Sequence, residues 1–220
     1  MDISIGRYQV VLEARIENLE KHSIVERIWQ KDYTVWKPEP DEISNRLGWL
    51  SVSDMMRPRV PELQSFAQEI REDGYVSVVL LGMGGSSLGA EVLRQTFASA
   101  PGYPEMIVLD SVLPLCVRTV AQSIDMARTL FLVSSKSGTT VEPVSMFQYF
   151  WKLMTDSVGT EEVGRNFVAI TDADTPLAEL AKENRFRRVF LNPADIGGRY
   201  SIFSYFGLVS AALMGVDIGL

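Results

Sequence analysis

Five hydroxyls, one ammonium and one glycine fall in seven consecutive residues, Ser134-Ser135-Lys136-Ser137-Gly138-Thr139-Thr140, directly ahead of a segment with helical periodicity. One Ser or Thr is enough to cap a helix. The surplus hydroxyls, the free N–H groups of a helix N-terminus and a local positive charge together suit a phosphate. A second run, Gly82-Met83-Gly84-Gly85-Ser86-Ser87-Leu88-Gly89, also precedes a helical segment. Its glycines allow close approach of the backbone and positive φ, and Ser86 and Ser87 add donors. A tight turn without a ligand would also use glycine, but three in four residues followed by two serines exceed what a turn needs. A third run, Gly197-Gly198-Arg199-Tyr200-Ser201, sets a permanent cation behind two glycines; taken alone it reads equally well as a surface arginine after a turn.

Other chemistries fit less well. A dinucleotide fingerprint competes for the first glycine run, because Asp110 follows the second apolar run where the fingerprint's acidic residue belongs. Yet Gly82-x-Gly84-x-x-Ser87 lacks the third glycine, and a dinucleotide leaves the Ser/Thr-rich run unexplained. No G-x-x-x-x-G-K-[ST], H-E-x-x-H or calcium-binding loop pattern occurs. The single histidine, His22, falls in a helical stretch and reads as a surface or packed residue. Asp172 and Asp174 read as loop caps, and Arg185, Arg187 and Arg188 as a solvated edge.

The elements that position these runs follow from periodicity. Short apolar, β-branched runs occur at Val76–Leu81, Met106–Leu109, Leu130–Val133, Phe167–Ile170 and Arg188–Leu191. Segments of helical spacing alternate with them, marked by Leu88, Val92 and Phe97 in the first and by Val144, Phe147, Trp151 and Met154 in the third. Thr175-Pro176 caps and opens the fourth. Ile202, Phe206, Val209 and Leu213 mark a last helix. Strands that are apolar on both faces and alternate with helices predict an α/β three-layer sandwich around a five-stranded parallel sheet. In the flavodoxin-like order 2-1-3-4-5, the first and third strands meet at the switch point, so their loops flank one crevice. Residues 1–73 lack strand patterning and predict an α-helical arm. Tyr8, Leu12, Ile16 and Leu19 recur at helical spacing, and Pro61 opens a second helix that carries Leu63, Phe66 and Ile70 and ends before Gly74. Trp29, Trp36 and Trp49 are expected to pack the arm onto the sheet.

Composition bounds the rest. The chain has 220 residues and a formal net charge of −7, with a pI near 4.9. This balance argues against nucleic-acid binding, which shows a basic footprint, and requires any attraction for an anion to be local. Cys116 is the one cysteine, so no intramolecular disulfide or cysteine zinc site forms. Uncharged stretches at 74–90 and 200–216 are 17 residues each, short of the roughly 20 apolar residues that span a bilayer. The N-terminal segment lacks the apolar core of a secretory signal. A cytoplasmic protein with no membrane partner is expected.

In this order and on these strands, GMGGSSLG, SSKSGTT and GGRYS resemble the sugar-isomerase domain of the phosphoglucose isomerase family. In the arm, WKPEP and NRLGWL resemble the bacterial branch in which an isomerase part can be fused to transaldolase. The resemblance implies residues 74–220 as the sugar-isomerase domain. It implies a sugar-phosphate ligand, no metal or organic cofactor, and aldose–ketose isomerisation between glucose 6-phosphate and fructose 6-phosphate in glycolysis and gluconeogenesis. By motif position Ser86, Ser135, Lys136, Ser137 and Thr140 contact the phosphate, with Gly84, Gly85, Gly198 and Glu142 in support. Arg199 matches the arginine that stabilises a cis-enediolate, a role typically worth about 3–4 kcal/mol of barrier. The family's proton-transfer glutamate and its ring-opening histidine and lysine belong to a second sugar-isomerase domain, and its working form is a homodimer. Residues 1–220 are therefore expected to be a truncated form, inactive alone. A non-catalytic sugar-phosphate module would share the cradle without needing a base.

Overall fold

The computed structural model describes residues 6–159 and 162–219. Its centre is a five-stranded, all-parallel sheet of β1 (Ser77–Gly82), β2 (Glu105–Leu109), β3 (Thr129–Ser134), β4 (Phe167–Asp172) and β5 (Arg188–Asn192), in the order β2-β1-β3-β4-β5. All five expected runs are strands, and their order is the expected one. Alternation along each strand divides the core. Val78, Leu80, Leu130, Leu132, Val168 and Ile170 face one layer. Val79, Leu81, Phe131, Val133, Phe167 and Ala169 face the other.

The second layer is formed by α6 (Pro114–Ser123), α7 (Val141–Val158) and α8 (Pro176–Glu183). Met146, Phe147, Phe150 and Met154 of α7 are buried beneath the sheet. Thr175 caps α8 as expected, its hydroxyl accepting from the Ala178 N–H at 3.2 Å. The first layer contains α4 (Val60–Glu72), α5 (Leu88–Phe97) and α9 (Tyr205–Leu213). α9 lies between its neighbours and is apolar around its whole circumference, as a fully buried helix should be.

Four expectations are corrected here. The stripe Leu88, Val92 and Phe97 points outward, with Leu88 59% exposed; α5 instead turns Ala90 and Leu93 inward, and Gly89 lies against Ile202. Trp29 and Trp36 are exposed. Only Trp49 packs, and it stacks on Tyr200 rather than on the sheet, with ring centroids 5.2 Å apart. Arg187 is no solvated edge: its side chain is 13% exposed and pairs with Glu69 at 2.6 Å and Asp73 at 2.7 Å. Asp172 is no loop cap but the ion-pair partner of Lys136.

The helical segment before the sheet is not uniform. α1 (Gln9–Lys21) and α2 (Ile24–Trp29) bury no residue. α3 (Val52–Met56) and α4 bury Val52, Met56, Leu63, Phe66, Ala67 and Ile70 in the first-layer core.

Candidate functional site

The three sequence runs meet beyond the C-terminal ends of the strands. β1 and β3 are neighbours, with Gly82 opposite Ser134. The fully buried Ser134 hydroxyl donates to the Ser86 carbonyl at 2.8 Å. Ser201 Oγ shares its one proton between the Gly198 carbonyl at 2.7 Å and the Gly85 carbonyl at 3.1 Å. A Cβ on Gly85 would collide with the Gly198 backbone. This contact, rather than torsional freedom, is why position 85 is glycine.

The helices that follow the β1 and β3 loops, α5 and α7, begin without side-chain caps. Ser87, at the start of α5, spends its hydroxyl on the Gly84 carbonyl at 3.2 Å. Thr140, at the start of α7, accepts from Ser135 Oγ at 3.1 Å. Ser137 and Thr139 pair their hydroxyls at 2.9 Å. Two helix dipoles and their first N–H groups are thus open to an anion. Gly138, at φ +68°, makes the turn between them; a Cβ there would press on Leu177 N and Thr175. Thr139, counted in the hydroxyl-rich run but not among the expected phosphate contacts, belongs to the same hydroxyl set.

Lys136 has partners within the protein. Its Nζ pairs with Asp172 and donates to the Ala194 carbonyl at 3.1 Å. The ammonium of the β3 loop is therefore already neutralised. Arg199 is exposed, on the short 3-10 turn Gly198–Tyr200, with no ion pair among the described residues. It is the cation the three loops leave uncommitted. Glu142 lies half-buried in the first turn of α7, where a carboxylate favours the helix dipole. Gly84 takes φ +54° with open space around it.

The arm closes over the β5 loop. Leu47 and Ile196 form an antiparallel bridge, and the Gly48 N–H donates to the Asp195 carbonyl at 2.8 Å. His22 is exposed and bonds the Asn18 carbonyl through Nδ1 at 2.9 Å. Among the described residues, no three His, Cys, Asp or Glu side chains gather as metal ligands, and no helix is long and apolar enough to cross a membrane.

A doubly covered parallel sheet in this order, with uncapped helix ends at its switch point, is an α/β domain whose architecture fits the sugar-isomerase type. Comparison with known proteins agrees. The family model described as phosphoglucose isomerase matches residues 52–219, and the chain belongs to that family. It is 32% identical over 181 residues to glucose-6-phosphate isomerase of Staphylococcus saprophyticus, covering 80% of this chain and 41% of that protein. It is 33% identical over 181 residues to the Campylobacter jejuni protein of the same name, covering 80% and 43%. A hypothetical protein from Thermus thermophilus superposes with TM-score 0.75 at 28% identity, covering 92% of this chain and 47% of that one. A glucose-6-phosphate isomerase from Chlamydia trachomatis gives 0.62 at 25%, covering 86% and 34%. The chain spans about two fifths of the length of the curated relatives it matches.

Proposed function

We propose that this chain is the phosphate-holding part of a glucose 6-phosphate/fructose 6-phosphate aldose–ketose isomerase, the isomerisation step shared by glycolysis and gluconeogenesis. The phosphate lies between the β1 and β3 loops, held by Ser86, Ser135, Ser137, Thr140 and the amides of two helix ends. Gly84, Gly85 and Gly198 permit close approach, and Arg199 stabilises the negative charge of the enediolate. The observation that carries the reading is the joining of the three loops through Ser134–Ser86 and Ser201–Gly85, with two uncapped helix ends beside it. Charge is local, as it must be on a chain of net charge −7.

In this reading residues 1–220 supply the phosphate grip and the enediolate arginine of the isomerase. The working assembly is a cytoplasmic homodimer. The test is calorimetric. An aldonate phosphate mimicking the enediolate should bind the 220-residue chain more tightly than fructose 6-phosphate does, and Arg199→Ala should abolish the difference. Equal affinities for wild type and variant would refute the role of Arg199.

A further inference from the structure

Lys136 and Asp172 stand at the only place where the β3, β4 and β5 loops are tied by one side chain among the described residues. The tie begins in the backbone. The Ser135 N–H donates to the Ile170 carbonyl at 3.0 Å, and the Asp172 N–H to the Lys136 carbonyl at 3.1 Å. Pairing between β3 and β4 is thereby extended into the hydroxyl-rich loop. The Thr171 hydroxyl reaches the same Lys136 carbonyl at 3.4 Å. Lys136 Nζ then crosses to Asp172 and to the Ala194 carbonyl. Ala194 precedes the two residues clamped by the arm, Asp195 and Ile196, and Gly197, Gly198 and Arg199 follow directly.

Asp172 is held there at a cost. Its side chain is 14% exposed, and Oδ1 is buried with no hydrogen-bond partner, as is Oδ1 of Asn192, its register partner on β5. Unpartnered buried oxygens are unfavourable.

We propose that Asp172 is a positioning residue. Through Lys136 it fixes the β3 loop to the β5 loop, so that the hydroxyls of Ser137–Thr140 and the guanidinium of Arg199 are presented at a set separation. Lys136 is then a strut and not the cation that meets the phosphate. The proposal rests on the phosphate reading of the β3 loop.

The two roles of Lys136 predict opposite signs. If Lys136 met the phosphate, Asp172→Asn would free the ammonium, remove a nearby negative charge and tighten binding. If Lys136 is a strut, Asp172→Asn weakens binding, by about tenfold for a residue that acts by orienting others. Lys136→Met weakens it equally, and the double variant is no worse than either single one, the mark of full coupling. Lys136→Arg, which can still reach both partners, restores affinity. The experiment is calorimetric titration of fructose 6-phosphate into the 220-residue chain and these variants, with thermal melts recorded in parallel and affinity expressed per folded molecule. A role confined to fold stability would lower the melting temperature and leave that affinity unchanged. Tighter binding by Asp172→Asn, unchanged affinity, or additive losses in the double variant would each overturn the proposal. Ser137→Ala/Thr140→Ala in the same series separates the failures. Unchanged affinity there would refute the phosphate reading itself, whereas weakened affinity there with tighter binding by Asp172→Asn refutes only the strut.

Discussion

The Ser134 hydroxyl donates to the Ser86 carbonyl across the β1–β3 boundary at 2.8 Å. Both residues follow from the same register, in which the last residue of β1 lies opposite the last of β3. The bond fixes the glycine-rich loop against the hydroxyl-rich loop where strand order reverses, the place at which open parallel sheets bind ligands.

Ser134→Ala removes the donor and leaves the Ser86 carbonyl short of a partner in a part-buried setting. The expected loss is about 1–3 kcal/mol of folding stability, together with weaker fructose 6-phosphate binding. Chemical denaturation and calorimetry check the two effects. Unchanged stability would show that the bond does not hold the loops.

Gly85→Ala places a methyl into the Gly198 backbone. The β1 and β5 loops must separate, and a shift of about 1 Å is enough to cost on the order of 100-fold where reacting groups must be aligned. Binding of the aldonate phosphate should fall more than binding of fructose 6-phosphate, because Arg199 follows the displaced glycine. Equal losses for the two ligands would argue against that link.

Trp49→Ala removes the stacking partner of Tyr200, the residue after Arg199. Aromatic pairs contribute about 0.5–1.5 kcal/mol beyond the area they bury. Affinity for the aldonate phosphate is expected to fall roughly two- to tenfold, while inorganic phosphate binding stays within about twofold of wild type. An equal fall for both ligands would separate Trp49 from the Arg199 loop.

Glu91 sets a pH signature. Hydrogen bonds from Arg94 and then Gln95 lower its carboxyl from 4.5 to about 2. Because the folded value is depressed, the stabilisation is fully present above pH 4.5 and is lost as pH falls toward 2. The pair is about a third exposed, so screening holds the effect under about 1 kcal/mol. In Glu91→Gln the stability difference from wild type should shrink as pH is lowered through this window, measured by urea denaturation. A difference independent of pH would contradict the assignment.

Much of this was legible in the sequence, for identifiable reasons. The strands are apolar on both faces, so five short runs stood out whatever their neighbours. Thr175-Pro176 is a local signal and needed no tertiary information. The Trp and α5 expectations failed because periodicity reveals an apolar stripe but not which stripe meets the core. Ala90 and Leu93, with Gly89 against Ile202, carry less hydrophobic weight than Leu88, Val92 and Phe97, yet they are the residues that fit against α9. Arg187 looked like part of a charge run because Glu69 and Asp73 lie more than a hundred residues away. In the site, the hydroxyls and glycines were readable as composition. The Lys136–Asp172 pair was not, since it joins the β3 loop to the end of β4 and depends on register.

The central claim is that the β3 loop, locked to the β1 loop, holds a sugar phosphate. The most direct measurement is titration of fructose 6-phosphate into the 220-residue chain and its Ser137→Ala/Thr140→Ala variant. Each hydroxyl bond to a charged oxygen is worth about 1.5–3 kcal/mol. The variant should therefore bind at least about tenfold more weakly, with its fold intact by circular dichroism. Equal affinity in the two proteins would contradict the claim.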